Sequence, residues 1–215
     1  LSIDYQEKSS EITIGEHCQR MQSTLSLFDG PVMRVAHFSN INDSSERLFI
    51  VIHHMMVDSV SWRILLKDLL DFYKALLVGD GVVLYSKTSS YRQWVSALKE
   101  YAIKPSTQAQ LGYWQATVER IPRIFNDTTT HGREESLEVV LNDSQTHLLL
   151  HKSNAAYNTQ INDILLAALA LAFAETFEVN FLPLSLESHG REHIIENVDV
   201  SETVGWFTSV YPVVL

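Results

Sequence analysis

Residues 32–38 alternate with strand period: Val32, Arg34, Ala36 and Phe38 fall on one side, Met33, Val35 and His37 on the other. Both faces are fairly apolar. A polar turn at 40–46 and an unbroken apolar run at 48–52 follow, which together predict an antiparallel hairpin whose second strand is central and buried. The period then changes. Trp62, Leu65, Leu66, Leu69, Leu70, Tyr73, Leu76 and Leu77 recur as one helical stripe, stopped by Gly79-Asp80-Gly81. Two more helices are predicted. One covers 90–104 with Tyr91, Trp94 and Leu98 buried; the other covers 107–120 with Leu111, Trp114 and Val118 buried, and Pro122 ends it. The polar stretch 126–135, which contains Gly132, reads as a linker. After it the pattern predicts a strand at 137–141 and a helix at 144–156. A core helix at 161–177, apolar almost all round, comes next. A buried strand at 179–186, a polar loop to Glu202 and a last strand at 209–215 complete the series.

This mixture predicts an α/β chain, and 215 residues are enough to bury a sizeable core. The formal net charge of −10, with no visible cluster of Lys and Arg, argues against a nucleic-acid partner. Cys18 is the single cysteine, which excludes an intrachain disulfide and a multi-cysteine metal site and fits a reducing, cytoplasmic compartment. The longest apolar run, 164–174, is too short to span a bilayer, so no membrane partner is expected. No signal peptide is visible. The chain opens on Leu1 rather than Met and closes in a strand-like segment, and it reads as a stretch of something larger.

Candidate chemistry gathers in three places. The strand at 48–52 runs into His53-His54, with Asp58, Ser61 and Trp62 beyond. An imidazole can gain or lose a proton near neutral pH. On a strand, neighbours point to opposite faces, so at most one of the two histidines faces a given cleft. Two satisfied core histidines are the ordinary alternative. Asp58 opens the following helix, as an N-cap or as one half of a buried ion pair. Glu187 ends an apolar strand and is followed by Ser188-His189-Gly190-Arg191-Glu192, where Gly190 permits a tight turn. That loop is either a solvated strand end or the carrier of a carboxylate projecting into a cleft. Gly205-Trp206-Phe207-Thr208 is either aromatic core or a channel lining. A His and a Glu from separate segments can flank one carbon and move a proton on or off it. No Gly-rich phosphate loop, G-x-S-x-G or H-E-x-x-H is present.

The run from His53 to Trp62 resembles the His-His-x-x-x-Asp signature of the condensation superfamily of nonribosomal peptide synthetases. Its Ser61-Trp62 ending resembles the epimerization branch, whereas condensation members usually carry Gly directly after the Asp. Asn162-Asp163-Ile164-Leu165-Leu166-Ala167-Ala168, the run from Glu187 to Glu192, and Thr203-Val204-Gly205-Trp206-Phe207-Thr208 with Tyr211-Pro212 resemble three further epimerization motifs, in family order. Two positions depart: Ser188 stands for a Gly and Glu202 for an Arg, and both bear on whether activity is kept.

The resemblance implies a two-lobe fold like that of chloramphenicol acetyltransferase, incomplete here. A partial N-terminal lobe would cover 1–125, a linker 126–136 and the start of the C-terminal lobe 137–215. It further implies inversion, from L to D, of the Cα of an aminoacyl or peptidyl thioester. That thioester would be carried on the phosphopantetheine arm of a carrier domain, with neighbouring synthetase domains as further partners and no cofactor or metal bound by the domain itself. His54 and Glu187 would be catalytic. His53, Asp58, Ser61 and Arg191 would support them, with Arg191 facing Asp58, and Trp62, His189, Trp206 and Phe207 would line the substrate channel. Amide formation between two carrier-bound groups, or simple docking of a carrier domain, are the alternatives.

Overall fold

The computed structural model describes residues 2–6, 13–39, 46–81, 86–121 and 135–215. The chain divides into two compact units. One comprises Leu1–Lys104 with Ser188–Ser209; the other comprises Pro105–Glu187 with Val210–Leu215. Most of the linker read at 126–136 lies outside the described residues.

In the first unit a three-stranded sheet has the order β1 (Ser2–Gln6), β2 (Met33–Phe38), β3 (Arg47–Ile52). β2 and β3 form the expected antiparallel pair, with Val35 opposite Ile50 and Ala36 opposite Phe49. The central strand is β2, not β3, because β1 pairs in parallel with its other edge. This explains why both faces of 32–38 read as apolar. Ahead of β2 runs α1 (Ile14–Ser23), absent from the sequence expectation although Thr13 and Glu16 form a reciprocal capping box at its start. Met21 of α1 packs with Ala36 and Phe38 as one buried cluster.

Two helices complete this unit, α2 (Ser59–Leu77) and α3 (Tyr91–Ala102). In α2 the buried residues are Ser61 and Ile64, whereas Leu66, Leu69, Leu70, Tyr73, Leu76 and Leu77 are exposed. In α3 only Trp94 of the expected trio is buried, and Tyr91 and Leu98 are exposed. Trp94 joins Val200 and Phe207 in a second buried cluster. The later segment 188–209 is therefore part of the core of the first unit.

In the second unit the helix expected at 107–120 is broken into α4 (Pro105–Gln108) and α5 (Leu111–Glu119). The Gln110 N–H bonds back three residues to Thr107 O at 3.1 Å, which interrupts the four-residue ladder. Leu111 and Val118 are exposed and Trp114 is half-buried. Residues 137–141 form no strand, and no described strand pairs with them. An isolated extended segment has no ladder to hold it. The helix expected at 144–156 is α6 (Asp143–Leu148) and α7 (Asn154–Tyr157) joined by a π-turn at Leu149–Ser153, where the Ser153 hydroxyl takes the Leu148 carbonyl. α8 (Ile161–Phe177) follows as expected, but none of its residues is buried, so hydropathy alone misplaces it as core. The expected strand at 179–186 lies later, as β4 (Pro183–Ser188), and pairs with β5 (Ser209–Val214). No single described helix is long and apolar enough to cross a membrane.

Candidate active site

Asp58, Ser61, Arg191 and Phe207 meet at the start of α2. Asp58 is the N-cap of this helix, and Oδ1 accepts the Ser61 N–H at 2.7 Å. The same carboxylate accepts two further groups that arrive from more than 130 residues away. Arg191 Nη2 donates to Oδ1 at 3.1 Å and Oδ2 at 3.3 Å, and the Phe207 N–H donates to Oδ2 at 3.1 Å. Cap and ion pair are thus one arrangement rather than alternatives. Both partners are almost dry, with side chains 5% (Arg191) and 3% (Asp58) exposed. Burial pushes the Asp58 carboxyl upward, but the Ser61 and Phe207 N–H groups and the Arg191 guanidinium together hold it below the usual carboxylate range.

Arg191 reaches further. Its Nη1 donates to the carbonyls of Val200 at 2.8 Å and Thr203 at 2.6 Å, and its guanidinium lies 4.0 Å from the centre of the Phe207 ring. A planar fork of donors suits this multiple role better than an ammonium would. Gly190 lets the turn carrying Arg191 form: it has φ +66, and a Cβ there would overlap the Phe207 carbonyl. Ser61, fully buried, holds Gly205 at both polar groups. Its hydroxyl donates to Gly205 O at 2.8 Å and accepts the Gly205 N–H at 3.0 Å, while also accepting Arg191 Nη2 at 3.0 Å.

The tandem histidine lies beyond the strand, not on it. β3 ends at Ile52; His53 caps a 3-10 turn (His54–Met56), and its Nδ1 accepts the Met55 N–H at 3.2 Å. Strand alternation therefore does not separate the two rings. The turn does: His53 is half-buried and committed at Nδ1, and His54 is exposed. The His54 ring meets Trp206 edge to face, with centroids 5.8 Å apart at 72°. Trp206 is partly exposed. Phe207, expected along a channel, instead has its ring buried with Trp94 and Val200 beneath the Arg191 guanidinium. Trp62 is half-buried on the first turn of α2. His189 is exposed; its Nδ1 accepts the Arg191 N–H at 3.0 Å and its Nε2 lies 3.5 Å from Glu192.

Glu187 belongs to the second unit, where it is exposed near the end of β4. Of the two departures from the motifs, Ser188 donates to Glu192 Oε1 at 3.3 Å. Glu202 lines an open cleft of about 570 Å³ in the first unit, together with Lys67, Asp68 and Lys87.

A family model described as "Condensation domain" matches residues 1–215. The chain belongs to the condensation domain family. Among curated relatives of this condensation domain, tyrocidine synthase 1 of Brevibacillus parabrevis is 41% identical over 203 residues, covering 92% of the chain and 18% of that protein. Gramicidin S synthase 1 of Brevibacillus brevis is 36% identical over 208 residues, covering 94% of the chain and 19% of the relative. The chain thus spans less than a fifth of the length of these two relatives. The epimerization domain from the third module of tyrocidine synthetase B superposes with a TM-score of 0.81 at 37% identity, over 93% of this chain and 45% of that one. The first condensation domain of the CDA synthetase superposes with a TM-score of 0.73 over 100% of this chain and 49% of that one, at 17% identity, which speaks for the fold alone. The fold is that of condensation domains, like chloramphenicol acetyltransferase, and the chain is a stretch of such a domain.

Sequence reasoning missed what surrounds the site. Ser89 and Asp199 exchange hydrogen bonds, Ser89 N–H to Asp199 O at 2.7 Å and Asp199 N–H to Ser89 Oγ at 3.1 Å. Thr203 Oγ1 donates to Ser89 O at 2.6 Å, so in its 2.8 Å contact with Thr88 Oγ1 it must accept. These bonds stitch the approach to α3 onto the 199–203 loop. Only the Ser90-x-x-Gln93 capping box at the head of α3 was there to be read locally.

Proposed function

We propose that this condensation-family domain epimerizes the Cα of an aminoacyl or peptidyl thioester presented on the phosphopantetheine arm of a carrier domain, within a nonribosomal peptide synthetase. The thioester carbonyl acidifies the neighbouring Cα–H. A base on one face takes that proton, the carbanion is stabilised as an enolate, and an acid on the other face returns a proton with inversion. The domain itself binds no cofactor in this reading; the arm brings the substrate.

The observation that carries the proposal is the division of labour within the tandem histidine. His54 is exposed against Trp206, and His53 is turned onto the Met55 N–H. His54 is accordingly one proton-transfer group. The motif resemblance gives Glu187 as the other. The choice of epimerization over amide formation is supported by 37% identity to an epimerization domain, and by Ser59 where Gly is usual in condensation members.

The test is deuterium uptake in D2O at the Cα of an L-aminoacyl carrier, read by mass spectrometry on the intact protein. Wild type is expected to exchange, with the rate reduced at least about 100-fold in His54→Ala and in Glu187→Gln, the contribution typical of a general acid or base. Full exchange in His54→Ala would remove the assignment. A longer amide product from loaded donor and acceptor, with no exchange, would replace epimerization by condensation.

A further inference from the structure

We infer that Tyr91, the first residue of α3, is a positioning residue that holds the Trp206 indole against His54. The peptide plane between Trp206 and Phe207 is gripped at both ends. Its N–H donates to Asp58 Oδ2 at 3.1 Å, and its carbonyl accepts the Tyr91 hydroxyl at 2.8 Å. A peptide unit is rigid, so holding its two polar ends restrains the backbone plane on the C-terminal side of the Trp206 Cα, from which the indole departs. That side chain is the one packed edge to face on the His54 ring.

Tyr91 is itself well placed to act as a fixed point. It follows the Ser90 cap, whose Oγ accepts the Gln93 N–H at 3.2 Å while Gln93 Oε1 accepts the Ser90 N–H at 2.7 Å. The strap just before it is tied to the 199–203 loop through Ser89. The Tyr91 ring stands at 83° to Phe207 with centroids 5.0 Å apart, and a Cβ added at Gly205 would come within 2.5 Å of Tyr91 Cδ2. The ring therefore packs closely over the backbone of 205–207 while the hydroxyl sets the peptide. Asp58 and Ser61 hold this segment from the α2 side and Tyr91 holds it from the α3 side. Tyr91 is not a proton-transfer group; it acts through Trp206.

Tyr91→Phe keeps the ring contacts and deletes only the hydroxyl. The first readout is the rate at which diethylpyrocarbonate modifies His54, followed by peptide mass spectrometry on the intact protein. Tyr91→Phe is expected to raise that rate about fivefold, the factor equivalent to one ordinary hydrogen bond, with His147 unchanged as an internal reference. Trp206→Ala is expected to raise it at least as much. The double variant should add nothing, because both changes act through one ring. The second readout rests on the proposed function: kcat for Cα exchange falls about fivefold with KM for the loaded carrier unchanged. A wild-type His54 modification rate in Tyr91→Phe overturns the inference, and so does a lower melting temperature with that rate unchanged, which would make Tyr91 merely structural. If His54→Ala exchanges normally while Tyr91→Phe still alters His54 reactivity, the catalytic reading fails and the positioning role stands. If His54→Ala is inactive and Tyr91→Phe is normal in both readouts, only the positioning role fails.

Discussion

Two of the ion pairs at α2 differ in nearly everything but charge. Lys67 and Asp71 face each other one turn apart, 3.6 Å between Nζ and Oδ2, with side chains 53% and 39% exposed. Asp58 and Arg191 are 133 residues apart, meet at 3.1 Å and are almost without solvent. The first pair is legible in any helical wheel. The second cannot be read from spacing, yet the Phe207 N–H and the carbonyls of Val200 and Thr203 converge on it. In this domain the polar group that matters is the one taken out of water. A desolvated charge depends on the hydrogen bonds that replace water, so each partner becomes a constraint on the chain; in Arg191 both Nη1 and Nη2 are bonded and the buried Nε is not.

The comparison breaks most visibly at Arg191. Arg191→Ala leaves the Asp58 carboxylate buried without its cation, and we expect a loss of about 3–5 kcal/mol in urea unfolding of the intact protein. A loss below about 1 kcal/mol would put this buried pair on a level with the exposed one. Gly190→Ala tests the same turn from the backbone side. An L-residue at φ +66 carries left-handed strain, and the new methyl meets the Phe207 carbonyl, which cannot swing aside as a flexible side chain would. The expected loss is about 2–4 kcal/mol by the same measurement.

Acid should discriminate the two pairs next. The Asp58 carboxyl is raised by burial and more than compensated by its donors, so its folded value lies below the unfolded one. Its stabilisation is therefore full above the unfolded value, near pH 4, and is lost as pH falls through the lower folded value. Glu16 and Asp199 are lowered too, the first chiefly by the Thr13 N–H and the second by the Ser201 N–H, and both lose stabilisation in the same direction. The informative quantity is thus the difference between wild type and Asp58→Asn. The variant should be less stable near neutrality, and the two stability curves should converge below about pH 4. Parallel curves would show that the charge of Asp58 contributes nothing.

How much of this was in the sequence depended on range. Local, periodic signals located β2, β3, α2, α3 and α8, because hydropathy and capping act over a few residues. The motif stretches contain Asp58, Ser61, Arg191 and Phe207, which the structure brings together. What they left out was non-local. β1 pairs in parallel with a strand some thirty positions on, and β2 rather than β3 is central for that reason. Tyr91 reads as one more apolar face residue, and its hydroxyl acquires meaning only from a carbonyl at Trp206. The exposed leucines of α2 and the unburied α8 show the converse: an apolar stripe states what a helix has to bury, not what is there to cover it.

The smallest expected effect belongs to the exposed pair. Lys67 precedes Asp71 in the sequence, the weaker order for an i, i+4 pair against the helix dipole, and water already satisfies much of both groups. Asp71→Asn should shift stability by about 0.5 kcal/mol or less at low salt, and the shift should shrink further at 1 M salt, where the screening length is only about 3 Å. Side-chain entropy released on breaking the pair works against the lost attraction, which is why exposed pairs measure near zero. A loss of about 3 kcal/mol would instead mean that the Lys67–Asp71 corner is buried in solution, and solvent exclusion would no longer be what separates the two pairs.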